Sequence, residues 1–316
     1  MRYDQIKAVL DRDTRIDANE SAIFSRQLEY IFTQTYDTLF PENTARALFP
    51  SLRIDSGANT YTYRAFTEIG EAKIVNDHAA DFPAVDLSGV EVTQKIVSLG
   101  DSFTYSVMDL RHAAMAGLQL DSAKAQIARR AIERKMDELA WLGDTASGLV
   151  GFARAANIIQ STLSDKGTDD TWAGPDASAD EILVDINTMW SNVYTTTGGL
   201  YSPDTLVLPP AAYAALITKR LDSFNKSTVY DYVLQVNPTI RKIVMSPRLT
   251  LAGGSLDTTR AMMFKSAPEV AQLVIPSEFE MMPPEPQSML YKVACHMRFG
   301  GIVVPTPKAI TYMDGV

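Results

Sequence analysis

The stretch from Asp121 to Leu142, DSAKAQIARRAIERKMDELAWL, constrains this chain most. Ala125, Ala128, Ile132, Met136 and Leu139 recur at steps of three and four, which places them on one face of a helix. Lys124, Arg129, Arg130, Glu133, Arg134, Asp137 and Glu138 cover the remaining faces. Arg129–Glu133 and Arg134–Glu138 are opposite charges four apart, a spacing that supports a helix from its wet side. Asp121 is placed to cap the start, and Gly143 stands where a C-terminal glycine is expected. The helix would run about 33 Å, the span of a small domain. Such a rod also suits an ordinary core helix, so the rest of the chain must decide what it serves.

Ahead of the rod lie two segments with no evident partner. Residues 1–55 read as an arm, in which Phe24, Leu28 and Ile31 form an apolar stripe before Pro41 and Pro50 interrupt it. Residues 56–100 turn to β character. Tyr61 and Tyr63 alternate with threonines and Arg64, and Val90 and Val92 alternate with Glu91 and Thr93. A polar passage from Gly70 to Gly89 separates the two runs, so the segment reads as a long two-stranded ribbon with a loose tip. A lone ribbon is marginal in water. Arm and ribbon together therefore imply a partner surface.

Downstream, Ser106–Gly117 predicts a short helix, and Gly148 and Gly151 flank Leu149 and Val150 in a turn feeding a short strand. Residues 162–178 read as a loop. Ser178 and Glu181 have capping-box spacing ahead of a helical stripe of Ile182, Leu183, Ile186, Met189, Trp190 and Val193, which stops at Gly198–Gly199. Strands are expected at 205–208, 240–245, 260–264, 270–275, 291–299 and 301–304, with a further one at 309–312. Helices are expected at 211–219, with Pro210 in its first turn, and at 228–236. The alternation suggests a compact α+β or α/β domain, and an α+β fold is the expectation for the chain.

Catalytic motifs are missing: no phosphate-binding glycine loop, no HExxH and no GxSxG occurs. Cys295, the only cysteine, and His296 are adjacent on an expected strand, so their side chains point to opposite faces and cannot act as nucleophile and base. Asp77, His78 and Asp81 read as turn formers in preference to metal ligands. The formal charge of −9 argues against a dedicated nucleic-acid binder, because such affinity comes from clustered cations. No apolar run approaches the length of a membrane span. The residues alone thus give a protein that assembles with itself, without cofactor or metal.

The segment GANTYTYRAFTEIGEAKIVNDHAADFPAVDLSGVEVTQKIVSLGDSFTYSVMDLRHAAMAGLQLDSAKAQIARRAIERKMDELAWLGD resembles the extended loop and spine helix of tailed-bacteriophage major capsid proteins. Their fold is that of phage Hong Kong 97, shared with encapsulins. The turn from Leu142 to Gly151 is similar to the family's post-spine turn, and VACHMRFGGIVVPTPKAITYMDGV resembles its closing strands. The resemblance implies an N-terminal arm at 1–55, an extended loop at 56–100, a peripheral domain at 101–179 with spine helix 121–142, an axial domain at 180–275, and closing peripheral strands at 276–316. It implies pentamers and hexamers of an icosahedral shell, assembled in the host cytoplasm around double-stranded DNA, which it touches without sequence specificity. Portal, scaffolding and decoration proteins would be further partners. Phe24, Leu28, Ile31, Tyr61, Tyr63, Phe66, Lys73 and Phe82 would contact neighbouring subunits. Some relatives crosslink a loop lysine, and Lys73 is the lysine inside the ribbon ahead of its return strand. An encapsulin-like compartment, or an enzyme with a site in 180–275, are the rival readings.

Overall fold

The computed structural model describes residues 43–70, 84–116, 120–164, 171–221, 227–251 and 258–316. Phe24, Leu28, Ile31, Lys73 and Phe82 lie outside these residues, as do Asp77, His78, Asp81 and the side chain of Phe66.

Helix α1 (Thr44–Leu48) opens the described chain. Strand β1 (Ser51–Leu52) follows. Strands β2 (Thr60–Ile69) and β3 (Asp86–Lys95) form the ribbon. Strand β4 (Val97–Ser106) leads into α2 (Val107–Ala116) and the long helix α3 (Leu120–Leu142). Leu120 is already helical, so Asp121 lies inside the first turn. The expected stripe is buried at Ala128, Ile132, Met136 and Leu139, and Ala140 and Trp141 add to it at the C-terminal end. On the wet side Arg129 donates to Glu133 at 3.0 Å, and Lys135 reaches Glu138 at 2.9 Å.

The stripe packs on a sheet. Strand β14 (Leu290–Phe299) pairs along its whole length with β4 on one side. On its other side run β12 (Ser277–Met281) and β13 (Glu285–Gln287). Val293, Cys295, Met297 and Phe299 alternate along β14 and are buried in the same core as Met136 and Trp141. The expected ribbon-to-helix passage hid β4, although Val97, Leu99, Phe103 and Tyr105 alternate with small polar residues there. The segment Glu285–Gln287, outside every expected strand, forms β13. Pro286 sits in a short outer strand, where a missing amide hydrogen is tolerated.

After α3, strands β5 (Gly143–Asp144) and β6 (Leu149–Val150) make a tight hairpin. Gly143 has φ +71°, and a Cβ on Gly151 would come within 2.3 Å of the Gly143 nitrogen. Two backbones in such contact admit only hydrogen at both Cα atoms, which gives the spacing of the post-spine turn its physical cause.

A second, five-stranded sheet follows the order β7-β16-β10-β8-β9. These strands are Ile159–Ser161 (β7), Thr205–Leu208 (β8), Lys242–Met245 (β9), Arg260–Phe264 (β10) and Ile310–Asp314 (β16). Helices α4 (Ala179–Thr196), α5 (Pro210–Thr218) and α6 (Val229–Val236) accompany it. The capping box at Ser178 and Glu181 forms as the spacing predicts, and Thr228 caps α6. The two-residue period of the strands divides the interior. Leu206, Leu208, Ala261, Met263 and Met313 face a core with Ile182, Ile186 and Met189. Val207, Met262, Phe264, Ile310 and Tyr312 face the spine-helix core.

The strand order crosses the boundary expected at residue 275. The last strand, β16, lies between β7 and β10, so it belongs to the same sheet as β8 and β9. A buried fork fixes that register: Arg260 Nε and Nη2 donate to the two Asp314 oxygens at 2.5 and 2.7 Å, and Nη1 reaches the Ala153 carbonyl. Strand β11 (Gln272–Val274) lies between β1 and β15 (Ile302–Val303) and pairs with both in a third sheet.

The end of the expected arm is core. Ala45, Leu48 and Phe49 are buried, with Phe49 against Trp141, Phe152 and Phe264. Asp137, buried on α3, accepts the Ala45 amide at 2.9 Å, while Trp141 Nε1 donates to Thr44 Oγ1 at 2.9 Å. The aromatic and leucine of ALFPSL therefore tie residues 45–52 into the molecule, and an arm can begin only ahead of them.

Candidate assembly surface

The ribbon is built from ten facing residue pairs, from Thr60↔Lys95 to Ile69↔Asp86. Facing residues share a side, so the register sorts the sequence into two faces. One face carries Thr60, Thr62, Arg64, Glu91, Thr93 and Lys95, with Thr62 and Thr93 hydroxyls 2.8 Å apart and Arg64 Nε 2.7 Å from Glu91. The other carries Tyr61, Tyr63, Ala65, Val90, Val92 and Gln94. Over the pairs from Thr60↔Lys95 to Ala65↔Val90, period-two patterning has thus made an amphipathic ribbon; farther out, Phe66 and Leu87 fall in register with the polar set and Thr67 and Ser88 with the apolar one.

Its root is gripped by the same chain. Arg298, on the outer face of β14, donates through Nη1 to the Ser56 carbonyl and through Nη2 to Asn59 Oδ1 at 3.0 Å. The Tyr61 hydroxyl lies 2.8 Å from the Gly300 carbonyl and 2.5 Å from Gln94 Oε1. A Cβ on Gly300 would come within 2.9 Å of the Tyr61 ring and 2.8 Å of Val274, so glycine is what lets the ring sit there. Burial pushes both the Tyr61 and the Tyr63 phenols above their ordinary range, which favours the neutral form of both. Of the residues expected to meet a neighbour, Tyr61 thus has a structural task in its own chain, one its alternation with Tyr63 could not reveal.

Beyond the root the apolar face is uncovered. Val90 is 59% exposed, and Val85, just ahead of the return strand at the ribbon's outer end, 80%. Tyr63, Ala65 and Val92 are covered only in part. A second exposed apolar group sits at the far end of the β14 sheet, where Met281, Met282, Met289 and Leu290 are each at least 40% exposed.

Chemistry remains sparse. Among the described residues no group of three or more His, Cys, Asp and Glu side chains is placed to hold a metal, and no helix is long and apolar enough to cross a membrane. Cys295 is buried and its thiol is pushed up by that burial, the opposite of nucleophile activation. His296 faces away from it, with Nδ1 4.0 Å from Glu280. An open groove of about 330 Å³ runs between β4 and α3, where Asp101 and Lys135 accompany Leu99, Ala131 and Ile132. It presents no convergent acid and base.

Comparison with known proteins gives this architecture its context. No curated protein sequence matches the chain. Among solved structures, the capsid of Myoviridae phage XM1 superposes with a TM-score of 0.78 at 19% identity, covering 94% of this chain and all of that one. The capsid of a native GTA particle gives 0.67 at 11% identity, covering 94% and 99%. A virus-like particle from Pyrococcus furiosus gives 0.54 at 17% identity, covering 84% and 90%. The fold is therefore the Hong Kong 97 type. The family model described as major capsid protein matches residues 70–316, a span that takes in the return strand of the ribbon, the spine helix and both sheets. The chain belongs to the major capsid protein family.

Proposed function

We propose that copies of this chain form the pentamers and hexamers of an icosahedral shell around double-stranded DNA, each ribbon laying its Tyr63–Val92 face on a neighbouring copy. A major capsid protein is a structural subunit that associates with itself into a shell. The observation that carries the finer reading is the amphipathic ribbon, held at its root and uncovered on its apolar face. A contact between unlike surfaces of identical copies closes into rings, and overlapping contacts add through multivalency.

The acidic surface suits a container that must hold DNA without gripping it. Cations on the spine helix support this, since Arg129 and Lys135 are already paired with Glu133 and Glu138. Portal, scaffolding and decoration proteins, and assembly in the host cytoplasm, complete the proposal. The similarity to the phage XM1 capsid, stronger than that to the Pyrococcus particle, favours a viral shell over a protein-cargo compartment.

The test is the double variant Tyr63→Ser, Val92→Ser, expressed with the neighbouring genes and examined by electron microscopy. Folded subunits with few or unstable shells are expected. Shells of normal yield and thermal stability would overturn the ribbon contact. Tyr61 is left intact, because replacing it would also disturb the root.

A further inference from the structure

The root of the ribbon carries more side-chain machinery than two strands need in order to pair. The strands already close on each other through the Ile96 amide and the Asn59 carbonyl at 2.9 Å. Arg298 nevertheless spans from β14 to the loop ahead of β2 and fastens it at two points, Ser56 and Asn59. Its Nε is buried without an acceptor, so the guanidinium is aimed at the loop at the expense of its own hydrogen bonding. The Tyr61 hydroxyl and the Gly300 carbonyl give a further point of attachment on the same strand end. Between them these contacts bind the ribbon to one end of β14, the strand that α3 packs against.

We infer that Arg298 and Tyr61 are positioning residues that set the direction in which the ribbon leaves the subunit, and through it the curvature of the shell. A ribbon of ten residue pairs is a lever of roughly 33 Å at 3.3 Å per residue. A small rotation at its root displaces its outer end by several ångströms, enough to change which surface it meets. The guanidinium suits this task better than an ammonium, because its planar fork holds the Ser56 carbonyl and the Asn59 side chain in a fixed mutual geometry. The inference rests on the ribbon contact proposed above, but the clamp itself is measurable without any neighbour.

The experiment uses unassembled full-length subunit carrying spin labels at Ser88→Cys, on the return strand, and Gln126→Cys, on the exposed side of α3. Pulsed dipolar spectroscopy should give one narrow distance distribution. Arg298→Ala and Tyr61→Phe should each broaden it, and Arg298→Lys should restore it only in part. Melting temperature, read alongside, should fall little in Tyr61→Phe, which removes one oxygen. An unchanged distribution in both Arg298→Ala and Tyr61→Phe overturns the clamp. Shells grown from a variant with a broadened distribution should vary in diameter or form open sheets and tubes. Uniform shells of wild-type diameter from such a variant would overturn the link to curvature while leaving the ribbon contact standing.

Discussion

Two antiparallel strand pairs in this molecule match in length and differ in what covers them. In β2–β3 ten residues face ten, and in β4–β14 ten face ten again. Both sort side chains into two faces. The apolar face of β4–β14, with Tyr105, Val293, Cys295 and Met297, lies under the spine helix. Among the described residues, the apolar face of β2–β3 is held to the chain at its root, while Val90 is exposed and Tyr63 and Val92 are half-covered. The same pattern serves as a core in one place and as a surface in the other. The difference lies in the rod of α3, which the chain places over one pair and not the other. On the reading proposed above, a neighbouring copy completes the second pair.

The sharpest way to break that comparison is to truncate one apolar side chain at the covered face and one at the uncovered face. Met136→Ala removes a fully buried side chain beneath the β4–β14 face and should destabilise the subunit by about 2–5 kcal/mol, read by urea unfolding. Tyr63→Ala should shift the same midpoint by less than about 1 kcal/mol, since the ring is only half-buried in the subunit, yet it should suppress shell formation. A large loss of subunit stability from Tyr63→Ala would place its partner within its own chain.

Asp137 shows how residues 44–49 are tied to the rod. Burial raises its carboxyl above the ordinary 3.8, against the opposing pull of the Ala45 amide and Arg248. A raised folded-state value means that the folded subunit favours the protonated form. The stability this contributes is complete below 3.8 and is lost as pH rises through the folded value. Asp137→Asn carries no such titration. Wild type should therefore lose stability relative to Asp137→Asn as pH is raised through the acid range, and denaturant midpoints along a pH series would show it. A constant offset at all pH values would contradict the burial argument.

The smallest effect is expected on the ribbon's polar face. Arg64 and Glu91 are 67% and 60% exposed, so Arg64→Ala should cost no more than about 1 kcal/mol and leave assembly intact. Impaired shells from this variant would mean that the polar face also meets a neighbour.

Much of this was legible in the residues. The spine helix followed from the spacing of Ala128, Ile132, Met136 and Leu139, and the α4 cap from Ser178 and Glu181. These are local signals, written within one turn of helix. The ribbon was legible as alternation, but its strands run to Ile69 at one end and begin at Asp86 at the other, inside a passage too polar to announce them. The membership of β16 in the sheet of β8 and β10 was not legible, because pairing partners some fifty residues or more apart leave no mark on either segment. The docking of Ala45, Leu48 and Phe49 was hidden for a similar reason: their aromatic neighbours Trp141, Phe152 and Phe264 are scattered along the chain. Tyr61 and Tyr63 looked alike in sequence, and only Gly300, brought near by the fold, separates their tasks.

The most direct measurement is a cryo-electron microscopy reconstruction of the assembled shell, at a resolution that shows side chains, read at the ribbon. The account predicts that Tyr63, Ala65, Val90 and Val92 lie against a neighbouring copy, with Arg298 still holding Ser56 and Asn59 of its own chain. A shell in which that face is turned to solvent, or is covered by its own subunit, would contradict it.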